Sequence, residues 1–245
     1  MEDKALLSTE VASGAEKAEL LIVIPAYNEA ENIERVVNHL TANFPQYDYV
    51  VVNDGSRDET AAICQRNGYN LLNLPVNLGL AGAFQAGLKY ADKYGYQYAV
   101  QLDGDGQHRP EYLESMIRKM EEGYDIVIGS RFVGEKKPFT MRMLGSNLIE
   151  MAIRFTTGVN IKDPTSGMRM FSKRMIREFA SGLNYGPEPD TVSYLIRQGA
   201  RVAEVPVIMD ERILGVSYLT PVNAMRYMLK MLISILLIQN FRKRR

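Results

Sequence analysis

Three polar clusters, Asn53–Ser56, Asp103–Gln107 and Gly129–Arg131, each follow directly on a short apolar run in this 245-residue chain. The runs Leu20–Pro25, Tyr49–Val52, Leu71–Leu74, Tyr98–Leu102 and Asp125–Ile128 have the length and content of buried strands. Helical patterns lie between them: Asn28 to about Asn43, Asp58 to Arg66, Leu80 to Tyr94, and one opening at Pro110, where proline is tolerated in the first turn. Short strands alternating with helices imply β-α-β units and a mostly parallel sheet covered on both faces, an α/β fold. Ligands of such sheets bind outside the carboxyl ends of the strands. The three clusters are therefore expected to converge on one site.

Composition narrows the class. Hydrophobic residues make up 46% and charged residues 24%, the balance of a globular chain rather than a disordered or fibrous one. No apolar run approaches the roughly 20 residues of a membrane span, so no integral membrane helix is expected. Cys64 is the single cysteine, which excludes a disulfide framework and a cysteine-based zinc site. Residues 1–18 are polar, without apolar periodicity or the pattern of a signal peptide, and are expected to form a loose arm of a cytoplasmic protein.

Acids and bases balance at 29 each, but unevenly along the chain. From Arg212 to Arg245 there are seven basic residues and no acid, so residues 1–211 sum to −7. Such an end attracts polyanions, either nucleic acid or an anionic membrane. Met225, Met228, Leu229, Leu232, Ile233, Leu236 and Leu237 fall at helical spacing beside Arg226 and Lys230. A basic amphipathic helix of this kind lies in a membrane interface; the alternative is a helix packed on the domain with a solvated basic tail. Leucines and methionines, not aromatics, accompany the charges, which argues against nucleic acid.

Asp103-Gly104-Asp105 carries the chemistry. Two carboxylates two residues apart at a strand end can aim at one point, and hard oxygen ligands suit Mg²⁺ or Mn²⁺. Gln107 and His108 follow and are placed to complete or support the shell. The structural alternative is an acidic turn. Asp54 closes a second strand, where its carboxylate can accept hydrogen bonds from a base or ribose, while Ser56 or Asp58 caps the next helix. Asn77-Leu-Gly79-Leu-Ala-Gly82 is not a dinucleotide fingerprint, and its glycines are read as allowing close packing near a ligand. Arg142 and Ser146, at i and i+4, share a helix face and with Arg131 form a candidate anion site.

The order Pro25-Ala-Tyr-Asn-Glu-Ala-Glu-Asn, Asn53-Asp-Gly-Ser, Asn77-x-Gly, Asp103-Gly-Asp-Gly-Gln-His, Gly129-Ser-Arg and Asp163-Pro-Thr-Ser-Gly-Met-Arg resembles family 2 of the inverting glycosyltransferases, with the GT-A fold. Within it the chain is similar to the dolichol-phosphate mannose synthase and bacterial polyprenyl-phosphate glycosyltransferase group, over about residues 20–218. The resemblance implies roles. Ala26, Tyr27 and Glu29 would line the nucleotide pocket and Asp54 would contact the base. Asp103 would hold the ribose or the metal, with Asp105 and Gln107 as metal ligands. Arg212, in the motif Arg212-x-x-Gly215-x-Ser217, would meet the donor diphosphate, with Ser217 beside it. Arg131 and Arg142 match positions that bind the lipid phosphate.

Asp163, Glu188 and Asp190 are base candidates. A phosphate monoester is already mostly ionised at neutral pH, with a second pKa near 6, so a polyprenyl phosphate needs positioning more than deprotonation. No carboxylate is assigned as base. Pro187-Glu-Pro-Asp190 departs from the acidic-aromatic-acidic pattern of the group, Tyr218 stands where many relatives carry lysine, and the sequence stops at Arg245 where many bacterial relatives continue into transmembrane helices.

The expectation is an arm over 1–18, a GT-A domain over 19–220 and an amphipathic helix with a basic tail over 221–245. The activity expected is metal-dependent, inverting sugar transfer from a nucleotide-sugar to a polyprenyl phosphate. It would take place at the cytoplasmic membrane face, on a peripherally attached protein held by the membrane surface or a small membrane-protein partner. Homo-oligomerisation is left open. The alternatives are transfer to a sugar hydroxyl of a growing polysaccharide and nucleotide-sugar binding without turnover.

Overall fold

The computed structural model describes residues 19–135, 137–138, 140–181, 186, 188–210 and 221–241. Strand β1 (Leu20–Ala26) is followed by α1 (Ile33–Asn43), β2 (Asp48–Asn53), α2 (Thr60–Arg66), β3 (Leu71–Asn73), α3 (Gly79–Tyr94) and β4 (Tyr98–Gln101). A 3₁₀ turn at Pro110–Tyr112 leads into α4 (Leu113–Glu121), then β5 (Ile126–Ser130) and α5 (Met141–Thr157). β6 (Arg169–Ser172), α6 (Lys173–Ser181), α7 (Pro189–Arg197), β7 (Val202–Pro206) and α8 (Pro221–Leu236) complete the order.

The seven strands form one sheet in the order β3-β2-β1-β4-β6-β5-β7. β1 pairs in parallel with β2 and β4, β2 with β3, and β5 with β7. β6 runs antiparallel between β4 and β5, with Val100 opposite Met170 and Ile128 opposite Arg169. The mostly parallel, doubly covered sheet is the one expected.

Alternation along the strands builds two cores. Leu21 and Val23 of β1 join Val50 and Val52 of β2 against Phe84 and Leu88 of α3, Ile153 of α5, Phe179 of α6, Leu195 of α7, and Met231 and Ile235 of α8. Leu20, Ile22 and Ile24 point the other way, onto Val37 and Leu40 of α1, Cys64 of α2 and Met116 of α4. A strand buried on both faces reads as a continuous apolar run, which explains why these strands are plain in the sequence. α8 is part of the first core, with Met231 and Ile235 buried while Met225 and Leu229 are exposed. No helix among the described residues is long and apolar enough to cross a membrane.

One boundary differs from expectation. The helical pattern from Asn28 becomes α1 only at Ile33. Asn28 has φ +56°, and the backbone N–H groups of Asn28, Glu29 and Ala30 donate to Ser56 Oγ, Thr60 Oγ1 and Asp58 Oδ2. Side chains of the next loop thus satisfy donors that a first helical turn would otherwise leave open.

Candidate active site

The carboxyl ends of β1, β2, β4 and β5 carry the expected residues. Ala26 ends β1 and is buried, while Tyr27 is exposed beside it. The Asp54 N–H donates to Ala26 O at 2.8 Å, and Arg57 N donates to Asn28 Oδ1 at 2.9 Å, closing the first two loops on each other. Glu29 Oε2 accepts from Asn32 Nδ2 at 2.8 Å.

Asp54 is buried, and its Oδ1 accepts the backbone N–H of Leu78 at 2.7 Å. Burial pushes its carboxyl above the ordinary range, and the N–H groups of Leu78 and Gly79 oppose that shift. Asn77 Nδ2 donates back to Asp54 O at 3.1 Å. Gly55 makes this junction possible. Its φ is +65°, and a Cβ there would lie 2.8 Å from Asn77 N, so only glycine fits without displacing backbone. The glycine-containing loop therefore holds Asp54 in place.

The Asp103–Asp105 turn is held from several sides. Gln101 Nε2 donates to Asp103 Oδ1 at 2.9 Å. The Asp103 N–H donates to His108 Nδ1 at 3.1 Å. His108 Nε2 faces Asp103 Oδ2 at 3.6 Å. Asp105 is buried, its Oδ1 accepts from Gln107 N at 3.0 Å, and Arg35 Nη2 donates to Asp105 O at 2.9 Å.

Gln107 ties the turn to the far side of the sheet. Asp210 N donates to Gln107 O at 3.0 Å, and Gln107 Nε2 donates to Asp210 O at 3.2 Å. Arg109 binds both carboxylate oxygens of Asp210 through Nε at 2.9 Å and holds that carboxyl below its usual range. Asp210 is the last described residue before the segment containing Arg212 and Ser217, both of which lie outside the described residues.

Among the described residues no group of three or more histidine, cysteine, aspartate or glutamate side chains could hold a metal ion. The donor set at the turn is two carboxylates, Asp103 and Asp105, with the Gln107 amide oxygen. That fits Mg²⁺ or Mn²⁺, which takes one or two carboxylates and completes its shell with substrate phosphates and water.

β5 ends beside the second half of the site. Arg131 Nε and Nη2 donate to Asp163 Oδ2 and Oδ1, each at 2.8 Å, and the Arg131 N–H adds a bond to Oδ2 at 3.1 Å. Asp163 is fully buried, with both oxygens committed to this fork. The same loop carries Ser166, whose Oγ donates to Gly129 O at 2.5 Å, and Thr165, whose Oγ1 lies 3.5 Å from Ser146 Oγ of α5. It then reaches the Asp103–Asp105 turn: a Cβ on Gly167 would sit 3.1 Å from His108 Cε1 and 3.4 Å from Asp103 Oδ2. The Arg142 side chain lies outside the described residues.

The other two acidic candidates face α8. Tyr227 OH donates to Glu188 Oε2, and burial together with Glu188 raises the Tyr227 pKa. Asp190 is buried at the start of α7, accepting from Ser234 Oγ at 2.5 Å and Thr191 N at 2.8 Å. Arg169 is also buried in this region. Its Nη2 donates to Pro164 O at 2.7 Å, while its Nε has no partner among the described residues.

Sequence reasoning missed Gln101, Arg35, Arg169 and the Arg109–Asp210 pair as supports. Gln101, Arg35 and the Arg109–Asp210 pair act across a large gap in sequence or inside an element, where residue type alone carries no signal. Arg169 did stand within Thr165-Ser-Gly-Met-Arg, and its charge in an otherwise apolar strand was the available sign.

The pattern of glycosyl transferase family 2 matches residues 21–179. Polyprenol monophosphomannose synthase of Mycolicibacterium smegmatis is 32% identical to the chain, with the alignment covering 86% of this chain and 84% of that one. Undecaprenyl-phosphate mannosyltransferase of Micrococcus luteus is 31% identical, covering 81% and 86%. Among solved structures, glucosyl-3-phosphoglycerate synthase of Mycobacterium tuberculosis, in complex with Mn²⁺, UDP and glucosyl-3-phosphoglycerate, superposes with a TM-score of 0.65 at 19% identity, over 90% of this chain and 79% of that one. The sheet expected from the apolar runs, the motif order and the relatives agree: this chain belongs to glycosyl transferase family 2 and is a glycosyltransferase with the GT-A fold.

Proposed function

We propose that the enzyme transfers a sugar from a nucleotide-sugar to a polyprenyl phosphate, with inversion at the anomeric carbon, using a divalent cation. The observation that carries the reading is the loop from Asp163 to Gly167. It presents Arg131 at one end and packs against Asp103 and His108 at the other, so an anion-binding guanidinium and the candidate metal turn share one support. The two relatives, one named a polyprenol monophosphomannose synthase and the other an undecaprenyl-phosphate mannosyltransferase, support the acceptor class.

In this reading Asp54, with Ala26, Tyr27 and Glu29, holds the nucleoside. Asp103, Asp105 and Gln107 hold Mg²⁺ or Mn²⁺, which when bound stabilises the charge developing on the departing diphosphate. Arg212 and Ser217, which lie outside the described residues, are assigned to the same diphosphate. Arg131, oriented by Asp163, and Arg142 position the acceptor phosphate for attack on the anomeric carbon. The acceptor oxygen is already ionised near neutral pH. A general base is therefore not required, which accords with an Asp163 carboxylate wholly engaged by Arg131. The protein works from the membrane surface, with α8 presenting its apolar side.

The test is transfer from a panel of nucleotide-sugars, mannosyl donors first, to a short-chain prenyl phosphate with Mn²⁺ or Mg²⁺. An acid-labile, phosphate-linked glycoside is expected, with inverted anomeric configuration. Transfer confined to oligosaccharide hydroxyls, or full activity in excess chelator, would overturn the reading.

A further inference from the structure

Ile128 of β5 has a charged residue on each side of it in the sheet: Arg169 of β6 and Glu204 of β7 are both its register partners. Residues directly opposite on neighbouring strands project from the same face. Arg169 and Glu204 therefore flank Ile128 on the side of the first core, about 10 Å apart across two strand spacings. Arg169 is buried and Glu204 half-buried. Taking a charge out of water is costly unless hydrogen bonds replace its hydration. Both charges find such bonds on one short segment, residues 162–164. Glu204 takes the N–H end: its Oε2 accepts from Lys162 N and its Oε1 from Asp163 N, each at 2.8 Å. Arg169 takes the carbonyl end, donating from Nη2 to Pro164 O at 2.7 Å. There the backbone turns, with Ser166 N donating to Asp163 O at 3.2 Å and Pro164 in the second position, where its fixed φ suits a turn. The acid meets donors and the base meets an acceptor, so polarity as well as position fixes how the segment sits.

We propose that Glu204 and Arg169 are positioning residues: they clamp the Asp163 backbone from both sides, and Asp163 in turn aims the Arg131 guanidinium. The seated carboxylate meets Arg131 Nε and Nη2 at 2.8 Å each, so a shift of the segment is a shift of the arginine. Neither Glu204 nor Arg169 touches substrate in the proposed reaction; both act through Arg131. Placement of this kind matters because a displacement of about 1 Å at a reacting group can cost about 100-fold in rate. The effect on turnover rests on the reading of Arg131 as the acceptor-phosphate contact, whereas the clamp itself rests on the hydrogen bonds.

Two double-mutant cycles on the full chain test the clamp. Glu204→Gln keeps the size of the side chain but sets an amide NH₂ against one of the two backbone N–H groups. Combined with Arg131→Met in urea unfolding, the two losses should be strongly non-additive, because each variant undoes the same seating of Asp163. In transfer to a short prenyl phosphate, Glu204→Gln and Arg169→Met should each lower acceptor kcat/KM about tenfold or more, with nucleotide affinity by calorimetry near wild type. Glu204→Gln should cost little further in the Arg131→Met background. Arg169→Lys, which keeps one donor for Pro164 O, should recover part of the loss. Additive losses in either cycle, or no difference between Arg169→Lys and Arg169→Met, would overturn the proposal. Should Arg169→Met fail to fold, the Glu204 cycles decide alone. Coupled stability losses in a protein that transfers to no prenyl phosphate would overturn the proposed reaction and leave the clamp standing.

Discussion

Arg131 and Asp163 form a two-point ion pair in which the carboxylate is fully buried while the guanidinium stays partly open to the site. The buried partner fixes the exposed one, so in the proposed reading the arginine would meet the acceptor phosphate already oriented. Breaking a buried pair by removing one partner costs roughly 3–5 kcal/mol. Asp163→Ala should therefore lower the stability measured by urea unfolding by that order and cut acceptor use. Arg131→Met should reduce acceptor kcat/KM while nucleotide affinity, measured by calorimetry, stays near wild type. Loss of nucleotide binding with acceptor KM unchanged would move Arg131 to the donor side.

The metal role proposed for the Asp103–Asp105 turn gives a graded prediction. Asp105→Ala should abolish turnover and the Mn²⁺-dependent part of nucleotide binding. His108 acts through Asp103, by accepting its backbone N–H and facing its carboxylate. Groups that orient metal ligands typically contribute 10- to 100-fold in affinity. His108→Ala should thus weaken Mn²⁺-dependent binding by about that factor. His108→Asn, whose amide oxygen can accept the same N–H, should recover part of it. No difference between the two variants would make the histidine a packing residue.

Acid stability should depend on Asp125. Burial alone would raise its pKa, but the Arg174 guanidinium and the Arg201 N–H outweigh burial and hold it below its ordinary value near 3.8. A carboxyl depressed on folding contributes stability that is present above its unfolded pKa and is lost as pH falls through the folded one. Asp125→Asn should lower stability at neutral pH, and the deficit should shrink as the pH drops below about 3.8. Parallel stability curves for variant and wild type across that range would refute the assignment.

The two sides of α8 should respond differently. Ile235 is fully buried and Leu229 is exposed on the same helix. Ile235→Ala should cost about 2–5 kcal/mol by urea unfolding, whereas Leu229→Ala should stay within about 0.5 kcal/mol. Ser234→Ala should also destabilise, because it removes a donor from the buried Asp190 carboxylate. Equal effects at 229 and 235 would mean that α8 is not seated as described.

The sequence alone determined the parallel frame and where the candidate donor residues stand on it. Leu20–Ala26 and Ile126–Ser130 are buried on both faces, so burial wrote them as unbroken apolar runs. Asp54 and Asp103–Asp105 stand directly after such runs, where chain geometry alone carries them to the carboxyl edge of the sheet. Only the tertiary structure decided the rest. β6 and β7 went unread because four or five residues around Arg169 or Glu204 lack the apolar continuity of the other strands. The antiparallel insertion of β6 between β4 and β5 joins Asp163 to Arg131 and Gly167 to His108. It takes both oxygens of Asp163, read from sequence as a base candidate, into an ion pair. α8 shows the same limit: its apolar spacing was legible, but a helix that buries Ile235 and exposes Leu229 has one hydrophobic pattern for two partners. Only the packing of neighbouring helices tells core from surface.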